Sequence, residues 1–252
     1  MRLPAMICVF VLSCFAFGGG DTEIKGHLVL NGGGKKPAVV MEKFIELAGG
    51  KDAAIVVIPT ASELSDTGEY YRKLFERDYK CTNVKALEMH KPKHARKAAF
   101  VETLANASGI WFSGGDQRRI TRVFQESAAL EAIRDAYRRG AAVGGTSAGT
   151  ACMSELMITG EGDWEVLRAK NIELWKGLGL FPKAILDQHF IARQRQNRLI
   201  TVTLEHPEYF GIGVDEGTAV WLKPDQTFEV VGEGWVQIFD ASNTIRPRHK
   251  RV

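Results

Sequence analysis

Charge of one sign, cysteine and long apolar stretches are all scarce in this chain of 252 residues. Its 33 lysines and arginines stand against 30 acidic residues. The small excess sits at the two ends, in Arg2 and in Arg246, Arg248, Lys250 and Arg251. A near-neutral body offers no broad basic face, which argues against nucleic acid as a partner. Of 4 cysteines, Cys8 and Cys14 fall in the leading segment. Cys81 and Cys152 are left, too far apart for a disulfide framework or a metal-ligand pattern. Both read as core residues, and neither metal nor cofactor is expected. Repeats, linkers and low-complexity tracts are also missing, so one domain over 27–241 is the economical reading, with a short lead at 19–26 and a basic tail at 242–252.

One apolar run does occur. Residues 6–17 follow Arg2 and precede Gly18, Gly19 and Gly20. That is the layout of a secretory signal peptide over 1–18, and it is too short to span a bilayer. A secreted or periplasmic location is therefore expected, with no transmembrane segment. Lipidation at Cys14 is the weaker reading, because Phe15 and Phe17 would be awkward mature residues.

The body alternates β-rich runs with amphipathic stretches, which points to an α/β fold with a mostly parallel central sheet between helical layers. Strands are expected over 27–31, 53–58, 84–89, 109–112, 141–144 and 184–186. Helices are expected over 39–48, 69–77, 94–105, 117–125, 128–139 and 193–204. Two β-rich runs, 213–222 and 228–239, flank Lys223-Pro224-Asp225-Gln226 and read as a C-terminal antiparallel hairpin.

The strand at 141–144 runs straight into Gly145-Thr146-Ser147-Ala148-Gly149. Gly-x-Ser-x-Gly between a strand and a helix is the pattern of a nucleophile elbow, in which glycines relieve a sharp turn and the helix start aims N–H groups at the serine. The Ala148 amide is a natural oxyanion donor, and Ser113-Gly114-Gly115 after the neighbouring strand suggests a second at Gly115. A serine needs a base. Of the histidines, only His189 follows a buried strand and meets a polar cluster, Asp187-Gln188-His189-Phe190, at the strand end where α/β sheets bind ligands. Glu161, Asp163, Glu165 and Asp187 are all candidates for the acid that would hold the imidazole. Arg195 and Arg198 fall three apart on one helical face with Arg193 offset, a plausible clamp for a carboxylate. Gln117 could bind substrate or cap a helix.

Together, Phe112-Ser113-Gly114-Gly115-Asp116-Gln117, Gly145 to Gly149, Asp187-Gln188-His189-Phe190 and the three arginines resemble the dipeptidase E family of serine peptidases, the cyanophycinases among them. The likeness covers about 27–241 and includes the run Gly211 to Ala219. It implies a three-layer fold like the class I glutamine amidotransferases, with serine in place of their cysteine, and a dimer. It also implies a Ser-Glu-His triad whose acid follows a Glu-Gly-Asp-like turn, which maps onto Glu165. Gln117, Asp187, Gln188, Arg193, Arg195 and Arg198 would form a pocket for β-aspartyl-arginine units, as in cyanophycin. Thr150 departs from the alanine common in relatives. The competing readings are a peptidase for other aspartyl or isoaspartyl peptides, and a non-catalytic binding protein on the same scaffold.

Overall fold

The structure is a computed structural model that describes residues 23–162 and 167–244. The leader read over 1–18, the acid Glu165 and the tail from 245 onward lie outside the described residues. No described helix is long and apolar enough to cross a membrane.

Five strands form the parallel centre of a seven-stranded sheet: β1 (His27–Asn31), β2 (Ile55–Ile58), β3 (Val84–Ala86), β4 (Gly109–Phe112) and β5 (Ala142–Thr146). Strand β5 lies between β1 and β4, paired in parallel with both. Strands β2, β4 and β5 are buried along their whole length, as expected for parallel strands covered on both faces. One face packs Val29, Ile55, Val57 and Trp111 against α1 (Ala38–Leu47), α2 (Thr67–Lys73) and the π-helical turn Leu74–Asp78 that continues α2. The other face carries Leu30, Ile58, Phe112 and Val143, and α3 (Ala98–Ala105), α4 (Gln117–Phe124), α5 (Ala128–Arg139) and α6 (Ala148–Ala151) cover it. The side chain of Asp116 accepts from the Arg118 amide at 2.9 Å and caps α4, while Ser127 caps α5.

Beyond the helical layer, β6 (Leu156–Gly162) and β7 (Ile172–Lys176) form an antiparallel ribbon that the sequence pattern does not reveal. A second sheet holds β8 (Ala184–Gln188), β9 (Phe210–Val214) and β12 (Val236–Phe239). Its strand β8 leads, through His189, to α7 (Gln196–Glu205), which starts three residues later than expected.

The C-terminal hairpin exists, but it is shorter than the two runs suggest. Strands β10 (Thr218–Leu222) and β11 (Phe228–Gly232) pair antiparallel at the edge of the main sheet, whereas β9 and β12 pair in the smaller one. Each run is broken by a glycine in the left-handed region, Gly217 at φ 66° and Gly232 at φ 117°, so the chain switches sheets there.

Glycine in β5 is a packing requirement. A Cβ on Gly144 would lie 2.6 Å from the Trp111 ring and 2.9 Å from Phe44, two rings that meet edge-on at 4.9 Å. Gly144→Ala is therefore expected to cost about 1–3 kcal/mol by overpacking. Urea unfolding would read this as a lower midpoint at constant slope, and an unmoved midpoint would show that the rings have room to yield.

Candidate active site

The C-terminal ends of β1, β4, β5 and β8 meet at one edge, and each delivers a piece of the site. At the end of β5 the chain turns through Ser147, whose backbone sits at φ 54° and ψ −113°, a region L-residues rarely occupy. The flanking glycines make that turn sterically feasible. A Cβ on Gly145 would lie 2.5 Å from the Gly149 backbone, and one on Gly149 would lie 2.4 Å from the Phe112 carbonyl oxygen. The Ser147 amide donates to the Asn31 carbonyl at 3.0 Å, tying the elbow to β1. The Thr150 hydroxyl donates to the same carbonyl at 2.7 Å and lies 3.0 Å from that of Gly145. Its buried polar atom is thus satisfied where an alanine would leave that carbonyl without the bond.

Helix α6 has only four residues, so it supplies individual amides rather than a substantial dipole. Ala148, its first residue, has no intrahelical acceptor for its N–H. Among the described residues the Gly115 amide donates no hydrogen bond either. Gly115 sits at φ 140°, and Gly114 packs directly on Ser147, where a Cβ would meet the serine Cβ at 3.4 Å. Both expected oxyanion donors are therefore free and close to the elbow.

His189 follows β8 and places Nε2 3.0 Å from the Ser147 hydroxyl, within proton-transfer reach. Its own φ is 49°, and its amide donates to the Gly32 carbonyl at 2.7 Å. Gly33 lies flat against the ring, since a Cβ there would sit 2.3 Å from Nε2. On the far side Nδ1 is hydrogen-bonded to the carboxylate of Glu216.

Glu165, the acid that the family likeness implies, lies outside the described residues, so its place relative to His189 is not given. Among the described residues Glu216 is the carboxylate that reaches the imidazole. Of the other candidates, Glu161 pairs with Arg118 and Asp187 with Arg198, while Asp163, like Glu165, is outside the described residues. Glu216 stands in the turn between β9 and β10, within the Gly211 to Ala219 run that carried part of the family likeness. The rule that singled out His189, a polar residue just past a buried strand, applies equally to Glu216 after β9 and would have found it. The turn is clamped around the site: the Gly217 amide donates to the Gly33 carbonyl at 3.1 Å, and Asp215 accepts from the amides of Ile191 and Ala192.

The six expected substrate-pocket residues divide. Asp187 and Arg198, 1% and 2% exposed, form a bidentate ion pair under the site. Gln117 is buried and donates to the carbonyls of Ile158 and Thr159, both at 2.9 Å, holding β6. Arg195 donates to the Gln188 carbonyl at 2.6 Å and to its side-chain oxygen at 2.7 Å. Burial and neighbouring Arg198 pull its guanidinium down to about 10. The Gln188 side-chain oxygen is 3.5 Å from the Ser147 hydroxyl, and Arg193 is exposed nearby. Because α7 begins at Gln196, Arg193 and Arg195 lie in the preceding turn and do not share a helical face with Arg198.

Cys152, five residues past the serine, is fully buried as expected of a core residue, and burial pushes its thiol pKa up.

The His189 pKa is lowered from 6.5, first by burial, with the Glu216 hydrogen bond opposing and the charges of Arg193 and Arg195 adding to the depression. A lowered pKa keeps Nε2 unprotonated and able to accept at neutral pH. An NMR titration of His189 should show a midpoint below 6.5, and Glu216→Gln should depress it further by removing the contributions that raise it. A wild-type midpoint at or above 6.5 contradicts this account. Separately, Asp187→Ala strands a buried guanidinium and should cost about 3–5 kcal/mol in urea unfolding. A cost under about 1 kcal/mol would show the pair to be solvent-compensated.

Comparison with known proteins places this geometry. The family model described as peptidase family S51 matches residues 28–230. A cyanophycinase of Synechococcus elongatus is 35% identical over 227 residues, 89% of this chain and 67% of that protein. One from Geminocystis herdmanii is 32% identical over 95% of this chain and 85% of its own length. The crystal structure of a peptidase from an acI-B1 actinobacterium superposes with a TM-score of 0.67 at 22% identity, covering 89% of this chain and 98% of the other, and shares its fold. With a Gly-x-Ser-x-Gly elbow at the edge of this sheet and matches along most of its length, the chain belongs to peptidase family S51 and is a serine-type peptidase.

Proposed function

We infer that the chain hydrolyses the backbone of cyanophycin-like aspartyl polymers through Ser147, His189 and Glu216. The observation that carries the mechanism is the 3.0 Å approach of His189 Nε2 to the Ser147 hydroxyl, with Glu216 on the opposite ring nitrogen. The cyanophycinase relatives support the substrate class.

In this reading the Ser147 oxygen attacks an aspartyl carbonyl carbon while Nε2 takes the hydroxyl proton. The resulting imidazolium is stabilised by Glu216, and the oxyanion accepts from the amides of Gly115 and Ala148. Collapse breaks the C–N bond, and the imidazolium returns its proton to the departing amine. Water, deprotonated by the same imidazole, then hydrolyses the acyl-serine and restores the hydroxyl. Gln188 borders the serine, and with Arg195, which holds it, and the exposed Arg193 it would take the β-aspartyl-arginine unit, with Asp187 and Arg198 fixing the wall behind them.

Purified protein should release β-aspartyl-arginine from cyanophycin, followed by chromatography of the products. Ser147→Ala should lower kcat by about four to six orders of magnitude and Glu216→Gln by about two to four. Glu165→Gln should stay within about threefold of wild type; a collapse there with Glu216→Gln fully active would return the acid role to Glu165. Activity confined to simple α-aspartyl dipeptides would keep the peptidase and replace its substrate. Inert polymer and peptides alike would favour a binding protein.

Export to a secreted or periplasmic location rests on the composition of 1–18. A mature N-terminus near residue 19 by intact-protein mass spectrometry is the expected result, and retention of Met1 would discard it.

A further inference from the structure

A cleft of about 390 Å³ opens beside Ser147 and His189, and neither Gln188 nor Arg195 lines it. One wall is the loop after β1, with Gly33, Gly34 and Lys36; the other is α2, with Tyr70 and Tyr71. Lys36 is half-buried, and its ammonium stands 5.8 Å and 5.4 Å from the centroids of the two tyrosine rings. Burial pulls its pKa below the usual lysine value. Other lysines, Lys43, Lys73 and Lys223, pair with glutamates. Lys36 forms no ion pair among the described residues, and the Asp66 carboxylate that lines the same cleft stands beyond ion-pair distance. A cation withdrawn from water toward two aromatic faces, with no anion beside it, gains most when a carboxylate arrives.

The cleft's position says which part of the substrate brings that carboxylate. Gly33 packs over the His189 ring at its Nε2 end, so the loop carrying Lys36 borders the nitrogen that returns a proton to the leaving amine. The departing unit therefore exits toward Lys36. The geometry points to Lys36, seated over Tyr70 and Tyr71, as the residue that recognises a carboxylate on the leaving-group side of the scissile bond. This subsite rests on the peptidase reading of Ser147 and His189, and on neither Gln188 nor the arginines, which do not line the cleft.

The test uses two ligands: aspartyl-leucine whose aspartate carries arginine on its side-chain carboxyl, and the same compound ending in leucinamide. Only the first has a carboxylate on its leaving unit. Calorimetry on the Ser147→Ala chain, which leaves both ligands intact, should show the acid binding at least about tenfold tighter than the amide. Adding Lys36→Gln should weaken the acid to the level of the amide and leave the amide unchanged, while Lys36→Arg restores most of the preference. In the hydrolytically competent chain the same Lys36→Gln change should raise KM for the acid with kcat nearly constant. Equal affinity for the two ligands, an equal loss of both on Lys36→Gln, or binding of neither at millimolar concentration would overturn the proposal. Binding that follows this pattern in a chain that hydrolyses nothing would sink the peptidase mechanism and with it the leaving-group role, leaving Lys36 as a carboxylate site only.

Discussion

The site depends on a backbone conformation that one residue would not adopt alone. Ser147 at φ 54° and ψ −113° is held there because β5 is trapped between β1 and β4, and because neither Gly145 nor Gly149 has room for a side chain. Strain of this kind costs on the order of 1–3 kcal/mol and persists only where the surroundings over-determine it. Here Asn31 supplies much of that determination. Its carbonyl accepts from the Ser147 amide and the Thr150 hydroxyl, and its side-chain oxygen bonds the Gly33 amide and the Thr146 hydroxyl. One buried asparagine thus links the loop that carries the cleft wall to the turn that presents Ser147.

His189 is held in the same manner, by its backbone as much as by its side chain. The peptide between Gln188 and His189 is tied at both ends, with its N–H on the Gly32 carbonyl and its C=O on Arg195. Glu216 then fixes the ring from a third segment. Three chain segments far apart in sequence converge on one imidazole, and only the fold brings them there.

That distribution explains what the sequence made legible. Ser147 could be read because the elbow is local: strand, two glycines and helix lie within ten residues. His189 could be read because it follows a buried strand directly. Glu216 follows its strand in the same way, but the β-rich pattern runs on from that strand into β10 and hides the turn that holds Glu216. Gly217 and Gly232 carry positive φ, and taking them as breaks would have split both C-terminal runs correctly. The β6–β7 ribbon escaped for another reason. Its β-rich residues face the helical layer and α7 in short, irregular stretches, with a register shift between Ile158 and Gly162 that spoils any simple alternation.

The arginines show the limit of reading chemistry from composition. A basic run after Asp187-Gln188-His189 suggests a clamp for an anion, and the same spacing serves equally to build the wall that holds His189. Arg198 neutralises Asp187 below the site, and Arg195 grips the carbonyl that precedes His189. Both cations are therefore already bonded within the protein, and a ligand on that side meets an ordered, partly neutralised surface. Lys36 differs because its neighbours are aromatic faces rather than carboxylates. Electrostatic attraction for an incoming anion scales with charge left uncompensated, not with the number of cations nearby, so among the described residues Lys36 and the exposed Arg193 offer an anion more than the already bonded Arg195 and Arg198.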